Sequence, residues 1–210
     1  MPRFRMLPGH EARGLARKNS KTLAIVGAGH MAEGTLATCD TVFAFDKVRV
    51  WSRSQSTLDE FVKIQARKYR FPIHPSRDLA EVVRGADVVV TVTPAREPLV
   101  KDEWIAPGTH IAGLGADKGG DQELDPRILQ RPRIFVDDIR QCRTDGEISV
   151  PASRTSPAKS AKSSPARSRA AAPTMTLPCL IPPASRCRIR RRFRSNTSAR
   201  SLPASASRRR

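Results

Sequence analysis

Leu23-Ala24-Ile25-Val26-Gly27-Ala28-Gly29-His30-Met31-Ala32 is a short apolar run that breaks at a Gly-x-Gly-x-x-Ala turn and continues into helix-forming sequence. Four apolar residues closed by a glycine suit a strand buried on both faces, as in a parallel sheet. Each position of the turn has a job. Gly27 permits a tight reversal, Gly29 lets a phosphate approach the backbone with no Cβ between, and Ala32 is small enough for the helix to lie on the strand. Free N–H groups at the helix start and the positive end of its dipole then form an anion site. Ala28, His30 and Met31 complete the stretch assigned to that site, His30 as a spacer.

Working outward, strand and helix alternate. A helix is expected from about Met31 to Ala44, and Val48-Arg49-Val50-Trp51 reads as the second strand. Leu58, Phe61, Val62 and Gln65 mark one face of the next helix. Ile73 lies in a short third strand, and a short helix from Asp78 to Arg84 is closed by Gly85. Ala86-Asp87-Val88-Val89-Val90-Thr91-Val92-Thr93 is the strongest strand of the chain. His110-Ile111-Ala112-Gly113 and Arg133-Ile134-Phe135-Val136 add two more. This alternation gives the α/β class: a doubly wound parallel sheet of Rossmann type, spanning residues 21–150.

The end of the second strand selects between dinucleotides. An acid there would bind the ribose 2′-hydroxyl of NAD, but Trp51-Ser52-Arg53-Ser54 contains none. Arg53 can hold a 2′-phosphate, with Ser52 or Ser54 donating hydrogen bonds. NADP is therefore the preferred cofactor, with NAD as the alternative. Thr91-Val92-Thr93-Pro94 ends the strongest strand at the carboxyl edge, where open α/β sheets bind ligands. Thr91 or Thr93 is placed either to touch the nicotinamide ribose or simply to cap the strand end.

The flanks read differently. Residues 1–20 are a short N-terminal segment in which Glu11 to Lys18 suits the end of a helix. The net charge of +18 is concentrated at the other end. Residues 151–210 hold fifteen Lys and Arg, no Asp or Glu, twelve Ser, eleven Ala and eight Pro, which leaves +3 for residues 1–150. Such a tail buries too little apolar surface to offset its ordering entropy, so disorder is expected there. Its charge offers a second function class, a nucleic-acid-binding protein, with strong salt dependence. Phe193 is its only aromatic, and no motif for base readout accompanies it. Cys39, Cys142, Cys179 and Cys187 form no metal-ligand spacing and are expected to be free thiols, Cys39 packed in a helix. No apolar run is long enough to span a membrane and no signal peptide is evident, so a cytoplasmic location is the expectation.

Taken in order, several stretches resemble the ornithine cyclodeaminase/mu-crystallin family. They are Gly-Ala-Gly-His-Met-Ala at residues 27–32, Gly85-Ala86-Asp87-Val88-Val89-Val90-Thr91-Val92-Thr93-Pro94 and Pro107-Gly108-Thr109-His110. Gly113-Leu114-Gly115-Ala116-Asp117, Glu123-Leu124, Val136-Asp137-Asp138 and Gly146-Glu147-Ile148 continue the series. The likeness covers about residues 15–150. It implies an NAD(P)-dependent enzyme, a lyase or oxidoreductase of amino-acid metabolism, acting on an amino acid or its cyclic imine by hydride transfer at the α-carbon. Ornithine cyclodeaminase, alanine dehydrogenase and ketimine reductase are the activities within it. The match places the family's active-site aspartate at Asp117, where it would orient the substrate amine and exchange protons with it. Glu123 and Asp138 fit structural hydrogen-bonding positions better. The Trp51-Ser52-Arg53 strand end is closer to the NADPH-binding mu-crystallin type.

Two departures shape the expectation of activity. Family members are homodimers with a substrate and dimerisation domain ahead of the Rossmann domain, whereas only about twenty residues precede it here. The resemblance therefore implies low solubility and no turnover of ornithine. The tail also differs from the family's C-terminal segment. Read one base earlier, its codons permit family-like strings, such as DDDVTLFDSTGLAMQ for residues 174–188. Met175 must end in G, which makes the following position Asp. The expectation is a break of the coding frame near Pro151, decided by the DNA sequence.

Overall fold

In a computed structural model of the chain, residues 15–130, 134–136, 139–149 and 174–177 are described. Seven strands form one sheet: β1 (Thr22–Val26), β2 (Lys47–Trp51), β3 (Ile73–Ser76), β4 (Val88–Thr91), β5 (His110–Gly113), β6 (Ile134–Val136) and β7 (Thr174–Leu177). Their spatial order is β3-β2-β1-β4-β5-β7-β6, and every pairing is parallel. The chain winds outward from β1 to β3, then returns to start again at β4. The switch falls between β1 and β4, which opens a crevice at the strands' carboxyl ends. Registers align those ends: Ser76 lies beside Trp51, Trp51 beside Val26, Val26 beside Thr91 and Thr91 beside Gly113.

Helices cover both faces because the central strands are buried on both. Helix α1 (His30–Asp40) buries Ala32, Thr35, Leu36 and Cys39, a stripe at the spacing of one helical face. Helix α2 (Gln55–Gln65) buries Leu58, Phe61 and Gln65 against the same side. Helix α3 (Leu79–Val83) starts at Asp78, whose carboxylate accepts from Ala80 N and Glu81 N at 2.9 and 3.4 Å. Gly85, at φ +71°, follows its end. It packs on the opposite side with Ala24, Val26, Val89, Ile111 and Leu124. Helix α4 (Ile139–Thr144) and a 3-10 turn (Glu147–Ser149) close the described part of the body. The tolerance of Pro75 in β3 follows from its place: β3 is an edge strand, and a missing N–H costs nothing on the open side.

Several expectations needed adjustment. Helix α1 stops at Asp40, short of Ala44, where Thr41 Oγ1 folds back to Thr38 O at 2.7 Å. Strand β4 is four residues long where eight were expected: Ala86 N bonds back to Val83 O at the end of α3, and Thr93 N turns to the Glu123 carboxylate. Residues 174–177, within the stretch expected to be disordered, form β7 between β5 and β6. Thr-Met-Thr-Leu, bounded by Pro173 and Pro178, carries the alternation of a short strand that the surrounding Ser, Ala and Arg obscure. The rest of residues 151–210, with the frame reading attached to them, lies outside the described residues, as do residues 1–14, Asp137 and Asp138. Cys39 is a free thiol sealed in the core, and burial pushes its pKa up to about 12. Cys142 is disulfide-bonded, against the expectation of free thiols.

Candidate functional site

The turn between β1 and α1 is held entirely by backbone. Gly27 takes φ +116°, which L side chains rarely adopt, and donates its N–H to Trp51 O at 2.9 Å. A Cβ there would lie 2.9 Å from Val92 O, so β4 closes on this turn too tightly for any other residue. Ala28 is buried beside it. Gly29 sits at the start of α1 in extended backbone, and no side chain caps the helix. A Cβ on Gly29 would meet no atom within 4 Å. That open space in front of uncapped N–H groups is what a pyrophosphate requires. His30 is exposed and Met31 half-buried at the first turn of α1. Both also line a cleft of about 460 Å³ along the outer side of α1, with Glu33, Gln65, Lys68 and Tyr69. Ala32 is fully buried under the turn, as its size predicts.

At the neighbouring strand end Ser52 is buried and its Oγ accepts from Ser54 N at 3.2 Å, which folds the chain from β2 into α2. Ser54 caps α2, accepting from Thr57 N at 3.3 Å. Arg53 and Ser54 are exposed, beside the positive end of α2. The structure thus leaves Arg53 and Ser54 available to an anion and turns Ser52 inward.

The other side of the crevice is built around a buried carboxylate. Glu123 is 0 % exposed. Its Oε2 accepts from Thr91 Oγ1 at 2.6 Å and from Gly115 N at 2.8 Å. Its Oε1 accepts from Thr93 N and Thr93 Oγ1, both at 2.6 Å. Burial pushes this carboxyl above the ordinary carboxylate range, and the four hydrogen bonds oppose that shift. Thr91 and Thr93 were expected to touch the nicotinamide ribose or cap the strand. Both hydroxyls donate to Glu123, and Thr91 is fully buried. Val92 shows its carbonyl to Gly27. Gly115 is pressed against Thr93: a Cβ would overlap Thr93 N and O and lie 2.6 Å from Glu123 Cδ.

Asp117 stands two residues past Gly115, and its N–H donates to Gly115 O at 2.9 Å, closing a small turn. Its side chain is exposed, beyond the carboxyl end of β5. Sequence reasoning missed the support beneath it. Glu147, nearly fully buried, accepts from Glu123 N at 2.6 Å and Leu124 N at 3.3 Å. Burial, together with the nearby Glu123 carboxylate, raises its pKa to about 8, so it is largely protonated at neutral pH. Gly146-Glu147-Ile148 was read only as one stretch of the family resemblance, with no role given to Glu147.

Among the described residues no helix is long and apolar enough to cross a membrane, and no cluster of three His, Cys, Asp or Glu suits a metal ion. Alanine dehydrogenase of Archaeoglobus fulgidus is 39% identical over 147 residues, 70% of this chain and 44% of that protein. Ketimine reductase mu-crystallin of Macropus fuliginosus is 34% identical over 119 residues, 57% of this chain and 37% of that protein. A solved archaeal alanine dehydrogenase dimer with bound NAD superposes with a TM-score of 0.71 at 30% identity, covering 82% of this chain and 56% of that one. The chain thus spans under half the length of these two curated relatives. Residues 6–171 match the Ornithine cyclodeaminase/mu-crystallin family, and the chain belongs to that family.

Proposed function

We propose that this chain binds a nicotinamide dinucleotide at the Gly27–Ala32 turn and carries the cofactor half of a site for hydride transfer at the α-carbon of an amino acid or its cyclic imine. The observation that carries the reading is the pairing of a left-handed Gly27 with an unobstructed Gly29 at the uncapped start of α1. When bound, the nicotinamide supplies or accepts the hydride. The chain's own residues do the rest. The N–H groups of Gly29, His30 and Met31 face the phosphates, and Asp117 orients the substrate amine and exchanges its proton. A carboxylate beside a developing iminium offsets its charge. Within the family the reaction is that of an ornithine cyclodeaminase, with alanine dehydrogenase and ketimine reductase as alternatives. The basic tail as a nucleic-acid ligand finds no support in the described residues.

NADP is the proposed cofactor, although an archaeal relative holds NAD. Arg53 and Ser54 stand exposed at the start of α2, where an acid would be needed to favour the 2′-hydroxyl. A charge-assisted hydrogen bond contributes about 1.5–3 kcal/mol, so Arg53→Asp is expected to weaken NADPH at least tenfold and leave NADH unchanged or tighter. The check is to titrate both cofactors into wild type and variant by nicotinamide fluorescence. An NADPH preference that survives the substitution contradicts the assignment.

A further inference from the structure

The Glu123 carboxylate is inaccessible to any substrate, yet it joins the two strand ends that flank the inner part of the crevice. From β4 it takes Thr91 Oγ1, Thr93 N and Thr93 Oγ1; from the loop after β5 it takes Gly115 N. The two backbone donors use different oxygens, so neither oxygen is dispensable. The residue is itself fixed from three sides. Glu147 accepts its N–H, Leu99 N and Val100 N donate to its carbonyl at 2.8 and 3.0 Å, and Leu124 bridges Val100 in parallel. The Glu147 segment also braces the turn directly: a Cβ on Gly146 would sit 3.4 Å from Ala116 O. The turn of residues 115–117 is therefore tied at Gly115 to Glu123, which Glu147 in turn holds by its N–H.

We propose that Glu123 is a positioning residue, clamping the ends of β4 and β5 so that the Gly115–Asp117 turn is held in register with the nicotinamide end of the crevice. This rests on the reading of the crevice as a dinucleotide site, whose adenylate end lies at Gly27–Ala32 and Arg53. Glutamine cannot replace Glu123. Whichever way its amide is turned, the NH2 group faces the N–H of Thr93 or of Gly115, donor against donor.

The full chain, wild type and Glu123→Gln, would be titrated with NADPH and with adenosine 2′,5′-bisphosphate, which lacks the nicotinamide half. The expected result is NADPH binding weakened tenfold or more in the variant, with the bisphosphate within twofold of wild type. Equal losses for both ligands would make Glu123 a general stabiliser and overturn the proposal, and so would no loss for either. Failure of wild type to bind either ligand would overturn the dinucleotide reading itself and the proposal with it. Should Glu123→Gln not fold, Thr91→Val removes one donor from Oε2 at nearly constant shape. A threefold or greater loss confined to NADPH is expected, and a parallel or absent loss would overturn the proposal.

Discussion

The two sides of the crevice are made by opposite means. At Gly29 and the start of α1 the chain clears side chains away, and the site consists of backbone N–H groups and empty space. At Thr91–Gly115 the chain fills every gap, and a buried carboxylate takes four hydrogen bonds from two strand ends. The first side should tolerate change in stability and be intolerant in binding. The second should fail in both. A backbone anion site needs little from the core, whereas a buried acid is costly to leave unpaired.

Gly115→Ala should show the largest effect. Its Cβ would overlap the Thr93 backbone, which cannot yield without breaking the Glu123 hydrogen bonds. A loss of at least about 3 kcal/mol is expected, the upper range for overpacking, read from denaturant or thermal unfolding. A loss below 1 kcal/mol would show that the two strand ends can part.

The buried acid also sets a pH dependence. Glu147 has a folded pKa of about 8 against an ordinary 4.5, so its contribution is fully present below 4.5 and lost as pH rises through 8. His110, buried on β5, has its pKa lowered by burial to about 4 from 6.5, so its contribution is present above 6.5 and lost as pH falls through 4. The two slopes oppose each other between 4.5 and 6.5, where these groups together leave stability level. Above 6.5 the decline belongs to Glu147 together with Glu123, whose carboxyl burial also raises, and Glu147 contributes up to about 1.4 kcal/mol per pH unit until its pKa is passed. Melting temperatures across pH 5 to 9 check this, and Glu147→Gln should make the alkaline decline clearly shallower. A decline left unchanged by the substitution would assign it to other groups.

Gly29→Ala should be the mildest change in stability, within about 1 kcal/mol, the spread between glycine and alanine at a helix start. Its Cβ meets no protein atom. The same methyl group occupies the place reserved for a phosphate, so binding should suffer although folding does not.

How far the sequence carried the account follows the same division. The β1 turn was legible because its constraints are local: two glycines, an alanine and an apolar strand within ten residues. Arg53 was legible because its position follows from the strand before it. Strand β4 was over-read by two residues at each end: Ala86 still bonds back to Val83 at the end of α3, and Thr93 continues the apolar pattern while its N–H serves Glu123. Glu123 was read as a hydrogen-bonding position, but its partners come from Thr91, Thr93 and Gly115, which only the fold brings together. Glu147 lies 24 residues from the N–H it receives, and no periodicity encodes that contact. Strand β7 was missed because four alternating residues stand in a Pro- and Ser-rich stretch whose composition argues for disorder.

The central claim is that the Gly27–Ala32 turn is a dinucleotide site in which, at Gly29, binding is separable from the stability of the fold. NADPH titration of the full chain beside Gly29→Ala, with melting curves for both, tests it most directly. The account predicts saturable binding by wild type, a loss of tenfold or more in the variant, and nearly coincident melting. A wild type that melts cooperatively without binding NADPH or NADH, or a variant that binds as wild type does, would contradict it.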